Sequence, residues 1–501
     1  MTARKLRYDG PRWTIAFGSR EGPEGFALEE LNATVQRCMP YLVETLPAGD
    51  LDPTAAEHVV LIGTPENNPH IAGLVDWQFI PCPAGPQSYV IARLDSPWKE
   101  GHAVVVVAGG SPAGVLYGAV DFAARVVRPA APHAEAVPDA NRKAFDALAP
   151  FVIAEHPRIE DRGIWSWGYV IYDYRRFLDN MARLKMNLLT VWNDRPPLNV
   201  REVIDYAHSR GVKVVLGFPW GWGMGKTADL ADPAARRRIR ETVVEEFRTT
   251  YLGLDCDGIY FQTLTEHTTT EIGGVPVARL ARELVNEIAA EVLALRPGLQ
   301  IQFGLHASSI AGCQRELSDL DPRVTIVWED AGVIPYSYNP VPTRSQGLVT
   351  KGPDGIDSFE KTLALSKDFC RIREGAAFGM VAKGWCTLGW GSEFEHHGAY
   401  LMGRRDPAFL AERLAQMQDH WDEKNAVWAR NFPLAARFYR EIIECGPAST
   451  IVTGLIEDGL FEARVQPSVA IFAETLWDPQ REDDELGRLA GLLGEAANAR
   501  I

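Results

Sequence analysis

The sequence predicts an α/β chain built on a (β/α)8 TIM barrel, with a small α/β domain before it and a helical C-terminal region after it. Three observations lead there. From Arg162 onward, short apolar runs alternate with single helical stretches, the pattern of parallel strands joined by crossover helices, and about eight such units close a barrel. Aromatic and ionisable residues gather at the ends of those runs, where the loops of such a barrel converge on one face. A Pro- and Ala-rich stretch at 128–150, with Pro129, Pro132 and Pro138, sets these units apart from what precedes them.

Residues 1–130 read as the small α/β domain. Val59–Gly63 and Ala103–Ala108 are apolar runs suited to buried strands. Gly109-Gly-Ser-Pro-Ala-Gly114 then leads into a helical stretch, Val115–Val126. This turn has only the outline of a dinucleotide loop, because Ser111 stands where GxGxxG needs its second glycine. Residues 131–155 are assigned to a linker and 156–404 to the barrel. Strand one is Arg162–Trp167, followed by Tyr174, Phe177, Leu178, Met181 and Leu184 at helical spacing. Strand two is Asn187–Trp192 and strand three Val212–Phe218. Strand four, Asp257-Gly-Ile-Tyr-Phe-Gln-Thr-Leu-Thr-Glu-His267, ends in a carboxylate, Glu266. Leu299–Leu305, Val324–Trp328 and Ala376–Lys383 follow as strands five to seven, and strand eight is expected at Cys386–Trp390. Residues 405–501 read as a helical C-terminal domain broken at Pro433, Pro447, Pro467 and Pro479. Its Trp421, Trp428, Phe432 and Phe438 serve as core or as an oligomer face, and a homodimer through this region is one expectation.

Composition bounds the function. Hydrophobic residues make up 46% of the 501 and charged residues 23%, ordinary for a globular chain. A net charge of −15, spread along the chain, argues against a nucleic-acid partner, which usually needs a basic face. The seven cysteines have no CxxC spacing, which suits reduced thiols better than a disulfide framework. No apolar stretch follows the N-terminal charges and no run is long enough to span a bilayer, so a cytoplasmic location and no membrane partner are expected.

The strand exits form a coherent set. They carry Trp165 and Trp167; Trp192, Asn193 and Asp194; Trp220 and Trp222; Glu266 and His267; His306; Trp328, Glu329 and Asp330; and Lys383 and Trp385. Eight of the fourteen tryptophans lie between Trp165 and Trp390. Aromatic faces stack on the apolar faces of sugar rings while carboxylates, amides and histidines bond the hydroxyls, so this set predicts a carbohydrate cleft. Each tryptophan taken singly is better explained by core packing, and it is their shared placement that points to the cleft.

Cleaving a glycosidic bond takes two carboxylates, one to protonate the leaving oxygen and one to activate water or attack the sugar. Glu266 is the candidate general acid. Glu329 and Asp330 are the candidate partners, and since adjacent strand residues point opposite ways only one of them should face the cleft. Glu393 or Glu395 is the alternative base. Strand seven ends in Lys383 rather than in a carboxylate, which favours an inverting, water-mediated reaction. Gly225-Lys-Thr227 resembles the end of a phosphate loop, but Trp220 replaces its first glycine. His396 and His397 beside Glu393 and Glu395 lack a ligand spacing such as HxxxH, so no metal and no cofactor is expected.

The stretch Arg162-Gly … Asp173-Tyr-Arg-Arg-Phe-Leu-Asp-Asn-Met-Ala-Arg-Leu-Lys-Met-Asn-Leu-Leu-Thr-Val-Trp-Asn-Asp194 resembles the first βαβ unit of the β-hexosaminidases (glycoside hydrolase family 20) and α-glucuronidases (family 67). Gly109–Gly118 is similar to the end of the small domain that precedes the barrel in both. The resemblance covers about residues 1–400, and a helical C-terminal domain fits the α-glucuronidases. It implies an exo-acting glycoside hydrolase on oligosaccharides or glycoconjugates, with Glu266 in the acid's place and Glu329 or Asp330 matching the acids that family 67 carries further along. Family 20 enzymes end strand four in Asp-Glu, the Asp orienting the substrate's acetamide. Here the pair is Thr265-Glu266, which speaks against a β-N-acetylhexosaminidase unless its catalytic pair is modified. A non-catalytic carbohydrate-binding barrel is the alternative from a different class.

Overall fold

The computed structural model describes residues 8, 10–131, 138–193, 195–218, 220, 230–262, 270–305, 310, 312–329, 359–385 and 398–500. Six strands form the first sheet: β1 (Trp13–Phe17), β2 (Glu44–Pro47), β3 (His58–Gly63), β4 (Tyr89–Asp95), β5 (Ala103–Gly109) and β6 (Phe151–Glu155), in the order β2-β1-β3-β5-β4-β6. All seven residues of β5, AVVVVAG, are buried, as expected of a strand covered on both faces. The glycine-rich turn after it is a plain strand-to-helix turn, in which the Ser111 hydroxyl caps the helix Pro112–Asp121. The stretch expected as a linker is partly structural. It supplies a helix, Pro138–Asp146, and β6, which pairs antiparallel with β4.

The barrel consists of β7 (Asp161–Trp167), β8 (Leu188–Trp192), β9 (Lys213–Gly217), β10 (Gly258–Gln262), β13 (Gln300–Leu305), β14 (Val324–Trp328), β15 (Phe378–Trp385) and β16 (Thr450–Ile456). They close a ring in the order β10-β13-β14-β15-β16-β7-β8-β9, every neighbour parallel. A two-residue ribbon, β11 (Glu271–Ile272) and β12 (Val275–Pro276), lies between β10 and the helix Val277–Leu295. Side chains capping helix N-termini mark where the crossovers turn: Asp173 before Tyr174–Arg183 and Asp232 before Pro233–Glu246.

The closing strand is not at Cys386–Trp390, a segment outside the described residues. It is Thr450–Ile456, and the 37-residue helix Pro407–Ile443, capped by Asp406, is the crossover that leads to it. The expected boundary at 404/405 therefore does not part barrel from C-terminal region. Trp421, Trp428 and Phe438 of that helix are fully buried within the chain, which makes them core and not an oligomer face.

A buried charge network ties the small domain to the barrel. Lys185 lies 3.0 Å from Asp121 and 2.5 Å from Glu474. Arg481 bonds Glu474 and Glu155, Arg125 reaches Glu155 and Asp121, and the Tyr89 hydroxyl donates to Asp121. The Lys185 ammonium also sits 4.4 Å from the ring centre of Trp477. Burial works to raise the Asp121 carboxyl, but Lys185 and Arg125 outweigh it and hold that group below its usual range.

Candidate functional site

Alternation along the strands decides what enters the barrel. Trp165, Leu188, Trp192, Val215, Tyr260, Val327, Val381, Ile451 and Leu455 form one interior cluster, with Trp167 against it. The residues between them in sequence pack outward against the helices. Trp165 and Trp192 stack at 6.2 Å and 18°, and Tyr260 meets both edge-on, at 6.0 Å and 5.8 Å. Gly217 makes room for Trp192, since a Cβ there would collide with its ring.

Above this aromatic floor lies a charged cluster. Glu329, one residue past β14, is almost wholly buried. Its Oε1 accepts from the Tyr260 hydroxyl and from Gln262 Nε2, at 2.6 Å for the latter, and its Oε2 lies 3.5 Å from Lys383 Nζ. Residue 304 has to be glycine for this arrangement, because a Cβ there would overlap both the Tyr260 hydroxyl and the Glu329 carboxylate. Burial and then the Glu329 charge push the Tyr260 phenol well above its ordinary range, so it remains an O–H donor. Two donors and a cation converge on this one carboxylate.

Sequence reasoning missed a second carboxylate. Glu457 directly follows β16, is fully buried, and accepts a hydrogen bond from Trp167 Nε1 at 3.2 Å. Its position two residues beyond the inward-facing Leu455 gives it the same orientation. The only signal was the apolar run Thr450–Ile456 ending in Glu-Asp-Gly, hidden while strand eight was sought elsewhere.

Of the expected site residues, the structure brings together Trp165, Trp167, Trp192, Glu329 and Lys383. Three tryptophans expected in the cleft face the helices instead. Trp220 stacks on Phe261 at 3.6 Å, Trp328 on Phe369 at 4.3 Å, and Trp385 on Trp428 at 4.3 Å; all three are fully buried there. For Trp328 the cause is alternation, because its neighbours Val327 and Glu329 point inward. For Trp385 it is a register shift between Lys383 and Trp385, which turns the chain end outward. Asn193 is buried and braces the loop after β7, accepting from the Gly168 N–H at 2.9 Å and the Tyr400 hydroxyl at 2.6 Å. Glu266, Asp330, Asp194, Trp222, His267 and His306 lie outside the described residues, as do Glu393, Glu395, His396, His397 and Gly225–Thr227. Arg162, at the opposite end of β7, gives its guanidinium to the carbonyls of Ile159, Glu160 and Lys185 and does not reach the site.

The loops that carry Trp167 and Glu457 are clamped together. Glu462 Oε1 accepts the N–H groups of Tyr172 at 2.6 Å and Asp173 at 3.3 Å. Asp458 accepts from the Tyr172 hydroxyl at 2.8 Å and pairs with Arg413. Asp458 and Leu460 both sit at φ 48°, a left-handed conformation that side-chain-bearing residues seldom adopt and that often marks functional loops. Burial pushes the Glu462 carboxyl up from 4.5 to about 7, and its Oε2 has no hydrogen-bond partner among the described residues. The folded chain thus holds a proton there that the unfolded chain releases, so stability is full below pH 4.5 and falls as pH rises toward 7. That gap, at about 1.4 kcal/mol per pH unit, amounts to roughly 3 kcal/mol. Urea unfolding at pH 5 and pH 8 should show the loss in the parent chain and little of it in Glu462→Gln; equal losses in both would assign the pH dependence to other groups.

Among the described residues no three His, Cys, Asp or Glu side chains gather as a metal site, and no helix is long and apolar enough to cross a membrane. No protein-family model and no curated protein matches the chain. Solved structures do. One is a GH138 enzyme targeting pectin rhamnogalacturonan II, at 11% identity and TM-score 0.53, covering 95% of this chain and 65% of that one. Another is a GH115 4-O-methyl-α-glucuronidase with specificity for decorated arabinogalactans, at 14% identity and TM-score 0.50, covering 93% of this chain and 57% of that one. The chain thus spans somewhat less than two thirds of the length of each. Neither neighbour belongs to family 20 or 67. What the likeness establishes is a barrel with flanking domains of the kind glycoside hydrolases use.

Proposed function

We propose that this chain is an exo-acting glycoside hydrolase on oligosaccharides or glycoconjugates, with Glu266 as general acid and Glu329 as the ionised partner carboxylate. The observation that carries the reading is Glu329 itself: a carboxylate at the exit of β14, above a floor of Trp165 and Trp192, held by Tyr260, Gln262 and Lys383. A group so surrounded is unsuited to donate a proton and suited to take one from water, or to attack the sugar. The proton donor must then be another group, and Glu266, expected from the sequence at the end of strand four, is assigned that role. Trp165, Trp167 and Trp192 supply apolar walls for a sugar ring, and Glu457 supplies an acceptor for its hydroxyls. The exo mode and a kinship with families 20 and 67 rest on the motif resemblance around Arg162–Asp194.

Glu266→Gln tests the assignment. The parent chain should hydrolyse at least one of a panel of aryl glycosides that includes uronides and acetamido sugars. The variant should bind the same sugar but turn it over at least about a hundredfold more slowly. Unchanged turnover would sink the acid assignment. A parent chain that binds sugars from the panel and hydrolyses none would instead be a carbohydrate-binding barrel.

A further inference from the structure

We propose that the small domain carries a second carbohydrate-binding site, separate from the barrel, in which a polysaccharide chain docks on Trp77 and Phe79 beside Trp98. The helix Pro69–Asp76 buries Ile71 and Leu74 on its inner face, which fixes it to the sheet. At its end the chain reverses. The N–H of Phe79 bonds the carbonyl of Leu74 at 2.9 Å and that of Gln78 bonds Val75 at 3.0 Å, while Gln78 takes φ 62°. This helix stop normally uses glycine at the left-handed position. Here the strained position keeps a side chain, and the turn leaves two large rings in solvent: Trp77 is 55% exposed and Phe79 45%. Their centres lie 6.4 Å apart at 79°, and Trp98, which packs on the sheet, stands 6.2 Å from Trp77 at 57°. The rings therefore form a notch with steep walls on a rigid base.

Size and rim choose the occupant. Two half-exposed rings offer roughly 200 Å² of apolar surface. A second copy of the chain or another protein would need about 800 Å² per side for a stable interface, whereas this area suits one or two sugar rings. Exposed Asp76 and Gln78 border the rings and can bond sugar hydroxyls. Aromatic walls with a polar rim recognise a pyranose, which is apolar on its faces and polar at its edge. The choice of glycan probes rests on the reading of the barrel as carbohydrate-active, but the notch shares no residue with the barrel site.

Affinity electrophoresis of the whole chain in native gels containing soluble arabinogalactan, pectin or xylan tests the proposal. At least one polysaccharide should retard the parent. The Trp77→Ala/Phe79→Ala double variant should bind about tenfold more weakly or worse. It should also unfold at the same temperature and hydrolyse a small aryl glycoside as the parent does; Trp77→Tyr should restore much of the retardation. A parent that none of the three retards, or a double variant retarded like the parent, would overturn the site. So would a drop from dimer to monomer in sedimentation on mutation, which would make the notch a contact between copies. Loss of retardation in a chain that hydrolyses no glycoside would leave the notch standing and refute only the proposed activity.

Discussion

Glu329→Gln is expected to reduce turnover by between about a hundredfold and ten-thousandfold, the range over which a positioned acid–base group acts. The amide keeps the shape of the carboxylate but carries no charge, so it neither takes a proton from water nor attacks a sugar. It also turns an NH2 group toward one of Tyr260, Gln262 or Lys383, all of which are donors. A bracing role alone would lower the unfolding midpoint without this kinetic signature. Lys383→Met separates the two. Without the ammonium 3.5 Å away, Glu329 holds its proton to higher pH, so the acid limb of the pH–rate profile should move upward. A profile that stays in place, together with Glu329→Gln turnover within a few-fold of the parent, would remove Glu329 from the reaction.

Lys185→Met should destabilise the fold by about 3–5 kcal/mol, the range for removing one member of a buried ion cluster. Both the ammonium and its two carboxylate partners are essentially inaccessible to water. Deleting the cation leaves Asp121 with Arg125 at 3.4 Å and Glu474 with Arg481 at 2.8 Å, three acids facing two cations where three faced three. The network joins the helix after β5, the turn before β8 and Pro467–Trp477, the helix that follows β16. The damage should therefore appear as loosened docking of the small domain as well as a lower urea midpoint. Methionine preserves the apolar stem over Trp477 and makes charge the main thing lost. A change under 1 kcal/mol would mean that the remaining arginines compensate fully.

Both predictions depend on contacts that the linear sequence could not supply, although the residues themselves were legible. Seven of the barrel strands were readable from apolar runs, because each parallel strand is buried on both faces and is bounded by turn residues. The eighth was not. Its crossover helix is 37 residues long, and a lone run, Thr450–Ile456, looked like one more piece of a helical tail. Losing that strand also concealed Glu457, whose meaning comes from lying beside Trp167 across a strand pair remote in sequence.

The same burial that made the strands visible erased which way they face. When both sides of a strand are apolar, hydrophobicity alternates weakly, and composition cannot tell a ring in the lumen from one under a helix. By itself the sequence determined the barrel class, the small domain before it, and the strand exits where carboxylates and aromatic rings accumulate. The tertiary structure decided the rest. Strand register and one irregularity in β15 placed Trp165 and Trp192 inside and Trp220, Trp328 and Trp385 outside. Ring closure brought Tyr260, Gln262 and Lys383 around Glu329. The reason is that a side chain's partners follow from the pairing of whole strands, and pairing between segments hundreds of residues apart is settled only when the ring closes.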